Sequence, residues 1–448
     1  MKRIVAFCLG SALLFCGCRT VEVAREAQKP ENIPLGIRTV TAQEIGLTAG
    51  GTYSLAELER LGATYAPSVL QAKESYESAK LSLADAKAGY LPSASLSAGH
   101  NRSTHNTNRH RETTRNTGSW SGGLSMNWTV YDFGKTKSAV SVAQARLDAA
   151  MRDYQTAQCV AVLAVRVAFF ELKRNMELEQ VSAQAEQQYK EHYEQVKSLQ
   201  EVGKSTAYDV LKAEVDYNTA ALNHITTSHN VENSWCDLNA AIGLAEAPEY
   251  NLGTADIKNY ELDVEKLMEL ARERDPELAS LHAKVDAATA YIDQAIAELY
   301  PTLGVNLGAT VSGRNPGLPW LWNLSGGASL AETIFNGGTN LRRIDSAVIS
   351  LQQARIQVAS REQTLYKMMR KAVLTALRAE KQLEFARTAQ RSAEQNLEIV
   401  NERFNQGKAS SVERTDAQVA NSQAQANVVT AIYDRLDALA AIARFLSE

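Results

Sequence analysis

Three short stretches carry residue types that could do chemistry. Gly203-Lys204-Ser205 has the ending of a phosphate-binding loop, in which glycine admits the phosphate to the backbone, lysine reaches its charge and a hydroxyl holds magnesium. His100, His105 and His110 recur every five residues in a polar, basic stretch, and imidazole is a common metal ligand. Cys18, close behind an apolar run near the N-terminus, is a thiol that could carry a lipid. Whether any of them does so depends on the elements that hold it.

The 448 residues include 47 Lys+Arg and 51 Asp+Glu, a net charge of -4, so no basic excess argues for nucleic acid. Lys2 and Arg3 precede Ile4–Phe15, a run without charge that is too short to span a bilayer and reads as an export signal over residues 1–17. Gly17 before Cys18 resembles a bacterial lipobox, although Phe15 and Cys16 depart from that pattern. Cys18 is then the lipidated N-terminus of the mature chain and opens an extension over 18–53; no other cofactor and no metal are expected. Of the five cysteines, only Cys159 and Cys236 remain, too few for a disulfide framework. Beyond the signal no helix spans a membrane: the most apolar run, 160–170, contains Arg166.

The chain repeats itself. Pro67 and Pro276 lie 209 residues apart, as do Pro92 and Pro301; Gly134 and Gly338 lie 204 apart, as do Gly203 and Gly407. The difference falls in the loop after the first strand. The expected organisation is a first repeat over 54–247, a linker over 248–262 and a second repeat over 263–448. In each repeat a helix (71–89, 282–299) ends near a proline, and alternation then replaces helical period. Ala94, Leu96 and Ala98 alternate with serines; Trp120, Leu124, Met126, Trp128 and Val130 alternate with small polar residues. Leu303, Val305, Leu307, Ala309 and Val311 do so in the second copy, and Trp322, Leu324, Ala328 and Leu330 follow.

Four strands in hairpins 91–131 and 301–335, each with an apolar and a small-polar face, fit a half-buried soluble sheet or outer-membrane strands. The export signal, the long polar hairpin tips and aromatics at strand ends (Tyr90, Trp120, Tyr131, Tyr300, Trp322) favour the membrane. Four strands cannot close a barrel, and lipid tolerates no open edge. Three chains giving twelve strands is the simplest closure. The histidines fall in the first tip, His100–Gly118, where no helical face joins them and Glu112 is the one acidic residue; a solvated loop is the expectation there.

From Gly134 to Gly203 and from Gly338 to Gly407 are 69 residues each, without proline or internal glycine. As continuous helix each reaches roughly 100 Å. Val162, Val165, Phe169, Leu172 and Met176 form a 3-4-3-4 seam; Leu365, Met369, Ala372, Ala376, Ala379, Leu383 and Ala386 form its counterpart, with alanines that admit close helix approach. Helix resumes over 209–242 and 413–445. Gly203 and Gly407 therefore mark the turns of two helical hairpins. A phosphate loop needs a glycine five positions earlier and a preceding strand; here that position is Ser198 within helix, and the twin reads Gly407-Lys408-Ala409. A glycine ending a helix is the better reading. On these helices Cys159 lies about 66 Å from the tip and Cys236 about 50 Å, too unequal for a disulfide.

The paired prolines, "YLPS"/"LYPT", "YDFG"/"FNGG" and the two Gly-Lys tips make the mature chain resemble the TolC family of outer-membrane efflux proteins, its lipidated branch most of all. The resemblance implies a mixed α/β membrane protein: a homotrimer with a twelve-stranded β-barrel in the outer membrane and a periplasmic α-barrel of helical hairpins. It implies a passive exit duct for efflux or type I secretion, not an enzyme, joined through a periplasmic adaptor to an inner-membrane pump of RND, ABC or MFS type. Carried over by motif position, Asp209, Glu413 and Asp416 narrow the periplasmic entrance, and Val202, Gly203, Lys204, Gln406, Gly407 and Lys408 meet the adaptor. Where family members often latch the closed tip with Tyr and Arg, this chain has Phe404 and Ala409, which leaves Arg403, Lys408 or Arg414 to serve. A periplasmic coiled-coil scaffold lipoprotein is the structural rival, and a nucleotide hydrolase built on Gly203-Lys204-Ser205 the enzymatic one.

Overall fold

A computed structural model describes residues 24–25, 40–48, 50–107, 113–255, 258–313 and 321–446. In chain order the elements are β1 (Thr52–Tyr53), α1 (Leu55–Tyr65), α2 (Pro67–Ala88), β2 (Ser93–Thr107), β3 (Thr113–Tyr131), α3 (Lys135–Glu201), α4 (Ala207–Ile242), β4 (Asn251–Leu252), α5 (Val264–Arg274), α6 (Pro276–Ala297), β5 (Thr302–Gly313), β6 (Leu321–Ala331), α7 (Thr339–Asn405) and α8 (Ser411–Phe445). The described residues form two compact units, one from those within 1–73, 155–275 and 365–448, the other from those within 74–154 and 276–364.

Two expectations need correction at the prolines. α2 begins at Pro67, not at 71, and α6 at Pro276, not at 282. Proline suits the first helical position, because the N–H it lacks has no partner there and its φ is preset. Each proline also separates that helix from a preceding short one, α1 or α5. Within the linker β4 pairs in parallel with β1, and ahead of each of these strands Val40 bridges Leu244.

The second unit carries one antiparallel sheet, ordered β2-β3-β5-β6. Its register aligns the two kinds of face across all four strands. Leu96 stands opposite Leu124, Leu124 opposite Ala309 and Ala309 opposite Leu324; one step along, Ser95, Ser125, Gly308 and Ser325 form the polar row. The hydroxyls of Ser95 and Ser125 lie 2.7 Å apart. One residue departs from the expected alternation. Val130 is the extra residue of a bulge between Thr129 and Tyr131, so Tyr131, opposite Leu303, takes the apolar row instead. Tyr131, Phe133 and Tyr300 then form an aromatic cluster, with centroids 4.7 and 5.9 Å apart.

The first unit is packed helix. Val165, Phe169, Phe170 and Leu172 of α3 are buried with Leu58 of α1, Leu238 and Ile242 of α4 and Tyr433 of α8. By length and composition α3 is the one described helix able to cross a membrane; 28% of its apolar window is buried in the protein. Leu365, Met369, Ala372 and Ala376 of α7 pack on Leu267, Ala271, Ile442 and Phe445. Both expected seams are thus buried at their centres, while Met176, Leu383 and Ala386 lie at the less buried margins. Cys159 and Cys236 are free thiols.

Candidate functional site

The two glycine turns are built alike from the backbone outward. Gly203 and Gly407 have φ of 74° and 72°, the left-handed region that glycine enters without steric cost. Gly203 N–H donates to Gln200 O and Lys204 N–H to Leu199 O; Gly407 N–H donates to Phe404 O and Lys408 N–H to Arg403 O. That pair of bonds satisfies the last carbonyls of α3 and α7 as a Schellman motif. Three residues past each glycine the next helix is capped. Thr206 Oγ1 accepts from Asp209 N–H at 3.2 Å, and Asp209 Oδ2 accepts from Thr206 N–H at 3.1 Å. Ser410 Oγ accepts from Glu413 N–H at 3.2 Å, and Glu413 Oε2 accepts from Ser410 N–H at 3.0 Å. These reciprocal capping boxes were legible as Ser/Thr-x-x-Asp/Glu, but sequence reasoning missed them. Gly203-Lys204-Ser205 thus stops one helix and leads into the next; no strand precedes it.

The expected gate residues sit on these caps. The Thr206 hydroxyl and amide hold the Asp209 carboxyl below the usual carboxylate range. Glu413 and Asp416 are exposed near the start of α8. Within one chain the three do not gather: among the described residues no group of three or more His, Cys, Asp or Glu could share a metal ion. Asp416 faces the first hairpin, where its charge, Asp216 and, foremost, burial push the Tyr189 hydroxyl up to about 12. Val202, Lys204, Gln406 and Lys408 are exposed at the turns, with Lys408 Nζ donating to Gln406 Oε1 at 2.9 Å.

Of the three basic residues considered for a latch, Arg414 is the one that joins the hairpins. Its Nε donates to Asn401 Oδ1 of α7 at 2.9 Å, and its Nη1 to Gln195 Oε1 of α3 at 2.6 Å and His192 Nδ1 of α3 at 3.2 Å. Phe404 supplies a ring face 5.0 Å from the guanidinium carbon. Arg403 instead donates to Lys408 O within its own turn. His192 carries no signal in the sequence, because a lone histidine on a long helix is indistinguishable from a solvated one.

Two further surfaces lack a cover. Every residue of β6 is exposed, including Trp322 at 78% and Leu324 at 73%, and Leu96 on β2 is 84% exposed. No described element packs on that apolar face, and β2 and β6 are open edges. On α4, Tyr208, Leu211, Val215, Leu222 and Ile225 are all exposed at coiled-coil spacing, a second apolar stripe without a partner among the described residues. The first tip is shorter than the expected His100–Gly118 loop, because β2 runs on to Thr107 and β3 starts at Thr113, which puts His100 and His105 on a paired strand. Cys18, His110, Glu112 and residues 314–320 of the second hairpin tip lie outside the described residues.

Comparison with known proteins agrees with this construction. The chain is 26% identical to the outer membrane protein TolC of Vibrio cholerae over 167 residues, 37% of this chain and 38% of that protein. It is 26% identical to the outer membrane protein TolC of Escherichia coli over 282 residues, 60% of this chain and 55% of that one. The aligned parts thus span about half or less of these relatives. The fold is similar to that of the Campylobacter jejuni CmeC outer membrane channel, with a TM-score of 0.76 at 17% identity, covering 88% of this chain and 85% of that one. The family model for outer membrane efflux proteins matches residues 63–244 and again 267–448, and the chain belongs to that family.

Proposed function

We propose that this protein is the outer-membrane exit duct of an efflux or secretion system. The observation that carries the reading is the single-layer sheet, apolar on one side, small and polar on the other, uncovered and open at both edges. Water disfavours such a surface, and lipid accepts it once the edges are paired. Three copies pair all edges in a twelve-stranded barrel, with Leu96, Leu124 and Leu324 toward lipid and Ser95, Ser125 and Ser325 toward the lumen. The α4 stripe of Tyr208, Leu211 and Val215 meets a neighbouring copy in the same trimer. The helical hairpins cross the periplasm, and their Gly-Lys turns dock a periplasmic adaptor that couples the duct to an inner-membrane pump. Asp209, Glu413 and Asp416 ring the entrance and favour cations there. Lipid on Cys18 adds an anchor.

The duct is tested by incorporating the purified full chain in planar bilayers. Ion-conducting steps are expected, and bilayers that stay silent at every voltage and salt concentration would count against it. Lipidation is tested by Cys18→Ser, which should abolish incorporation of labelled fatty acid; undiminished labelling would refute it.

A further inference from the structure

Between α7 and α8 lies an open cavity of about 380 Å³, a size that suits an organic molecule and far exceeds the room one water needs. Part of its lining is apolar, with Met368 from α7 and Ala438 and Phe445 from α8. Its charges are sorted by helix: α7 contributes Lys371 and Arg378, and α8 contributes Asp434 and Asp437. Opposite charges on adjacent helices ordinarily pair, yet among the described residues neither Lys371 nor Arg378 has an ion-pair partner. We propose that this cavity binds an apolar zwitterion, an organic molecule whose ammonium end meets Asp437 and whose acid end meets Arg378 and Lys371. The site does not depend on the duct reading, because it is built from two helices of one chain.

The Asp437 carboxyl is short of partners. Its Oδ1 is buried without a hydrogen bond, so packing has stripped part of its hydration. The guanidinium whose charge reaches it, Arg174, pairs instead with Asp434 at 3.3 Å and with Glu171. Burial foremost pushes Asp437 up to about 6, with Arg174 opposing the rise and Asp434 adding to it. At neutral pH the group is still ionised in most molecules, part-buried and with no cation in contact. Such a charge costs free energy that a bound ammonium returns. Among the described residues no group of three or more His, Cys, Asp or Glu could hold a metal ion, and the buried Ala438 and Phe445 suit carbon better than a hydrated ion.

Lys371 and Arg378 decide against a simple organic cation. Both are exposed on α7 and line the same cavity, so they repel a lone positive charge that enters it. An acid group on the ligand gives them the partner that the chain does not, and the planar guanidinium of Arg378 can hold a carboxylate through two parallel hydrogen bonds. A neutral amphiphile would use the apolar lining and leave every charge unmatched. Only a molecule with both ends charged, and carbon between them, answers all three parts of the lining.

The test is calorimetric titration of the purified full chain, in nonionic detergent, with phenylalanyl-leucine, an apolar dipeptide whose two ends are an ammonium and a carboxylate. Saturable binding at one site per chain is expected. Phenylalanyl-leucinamide lacks the carboxylate and N-acetyl-phenylalanyl-leucine lacks the ammonium. Each should bind about tenfold or more weakly, because each loses hydrogen bonds between charged groups. Asp437→Asn should weaken the dipeptide by a similar factor, and Arg378→Gln should weaken the dipeptide but not the amide. Heat that never saturates, equal affinity for the dipeptide and either blocked form, or undiminished affinity in both variants would overturn the site. If Asp437→Asn fails to fold, Arg378→Gln and the three peptides decide. Dipeptide binding by a chain that conducts no ions would uphold the site and remove the duct.

Discussion

Asp209 has two candidate roles, and one substitution separates them. As the third residue of α4 it caps the helix, accepting from Thr206 N–H and, at 2.6 Å, from the Thr206 hydroxyl. As one of three carboxylates per chain at the proposed entrance, it attracts cations. Asp209→Asn keeps an oxygen to accept from Thr206 and removes only the charge. Thr206→Ala does the reverse, at a cost of about 1 kcal/mol, the usual worth of an N-cap side chain. A carboxylate acts on a passing ion over roughly 10 Å in 0.1 M salt but only about 3 Å in 1 M. Single-channel conductance should therefore fall in Asp209→Asn at 0.1 M potassium chloride, and the deficit should vanish at 1 M. Thr206→Ala should lower the melting temperature and leave conductance alone. An Asp209→Asn channel that conducts like the parent at 0.1 M, or an equal loss in Thr206→Ala, would refute the gate and leave Asp209 a cap.

Other predictions address the remaining surfaces. Leu124→Arg, on the apolar row, should cost about 2–4 kcal/mol and reduce outer-membrane assembly, whereas Ser125→Arg, one residue on, should assemble and narrow conductance; equal assembly of both, read by membrane fractionation, would contradict the assigned faces. Gly203→Val and Gly407→Val place a β-branched residue at positive φ, where no atom lies within 4 Å of the added Cβ and the backbone strain is roughly 1–2 kcal/mol. Export should then fail while the chains still assemble, and retained export would argue against docking at the turns. Ser410→Ala removes the α8 cap, and hydrogen exchange should quicken in the first turn of α8 without change in α4.

Much of this architecture was legible because its signals are periodic. Strand alternation at Leu96 and Leu124, the seam through Val165, Phe169 and Leu172, and the glycines at 203 and 407 each follow from local backbone rules that one sequence expresses. What stayed hidden depends on register or on distant partners. The bulge at Val130 moves Tyr131 onto the apolar row, and nothing local announces it, because β-branched valine fits a regular strand equally well. The starts of α2 and α6 lie before the expected 71 and 282 because Pro67 and Pro276 open a helix, a role that the stop signals at Pro92 and Pro301 did not suggest. His192 and Arg414 lie 222 residues apart, and only the packing of α8 against α3 brings them together. Asp209 and Glu413 at the tips were noticed for their charge, while their bonds to Thr206 and Ser410 give them a second reason to be there.

The central claim is that this chain closes its sheet with other copies of itself in the outer membrane. Its most direct test is the cross-linked mass of the protein recovered from fractionated cells. Recovery in the outer-membrane fraction as a species of three chains is expected; a soluble single chain in the periplasmic fraction would contradict it.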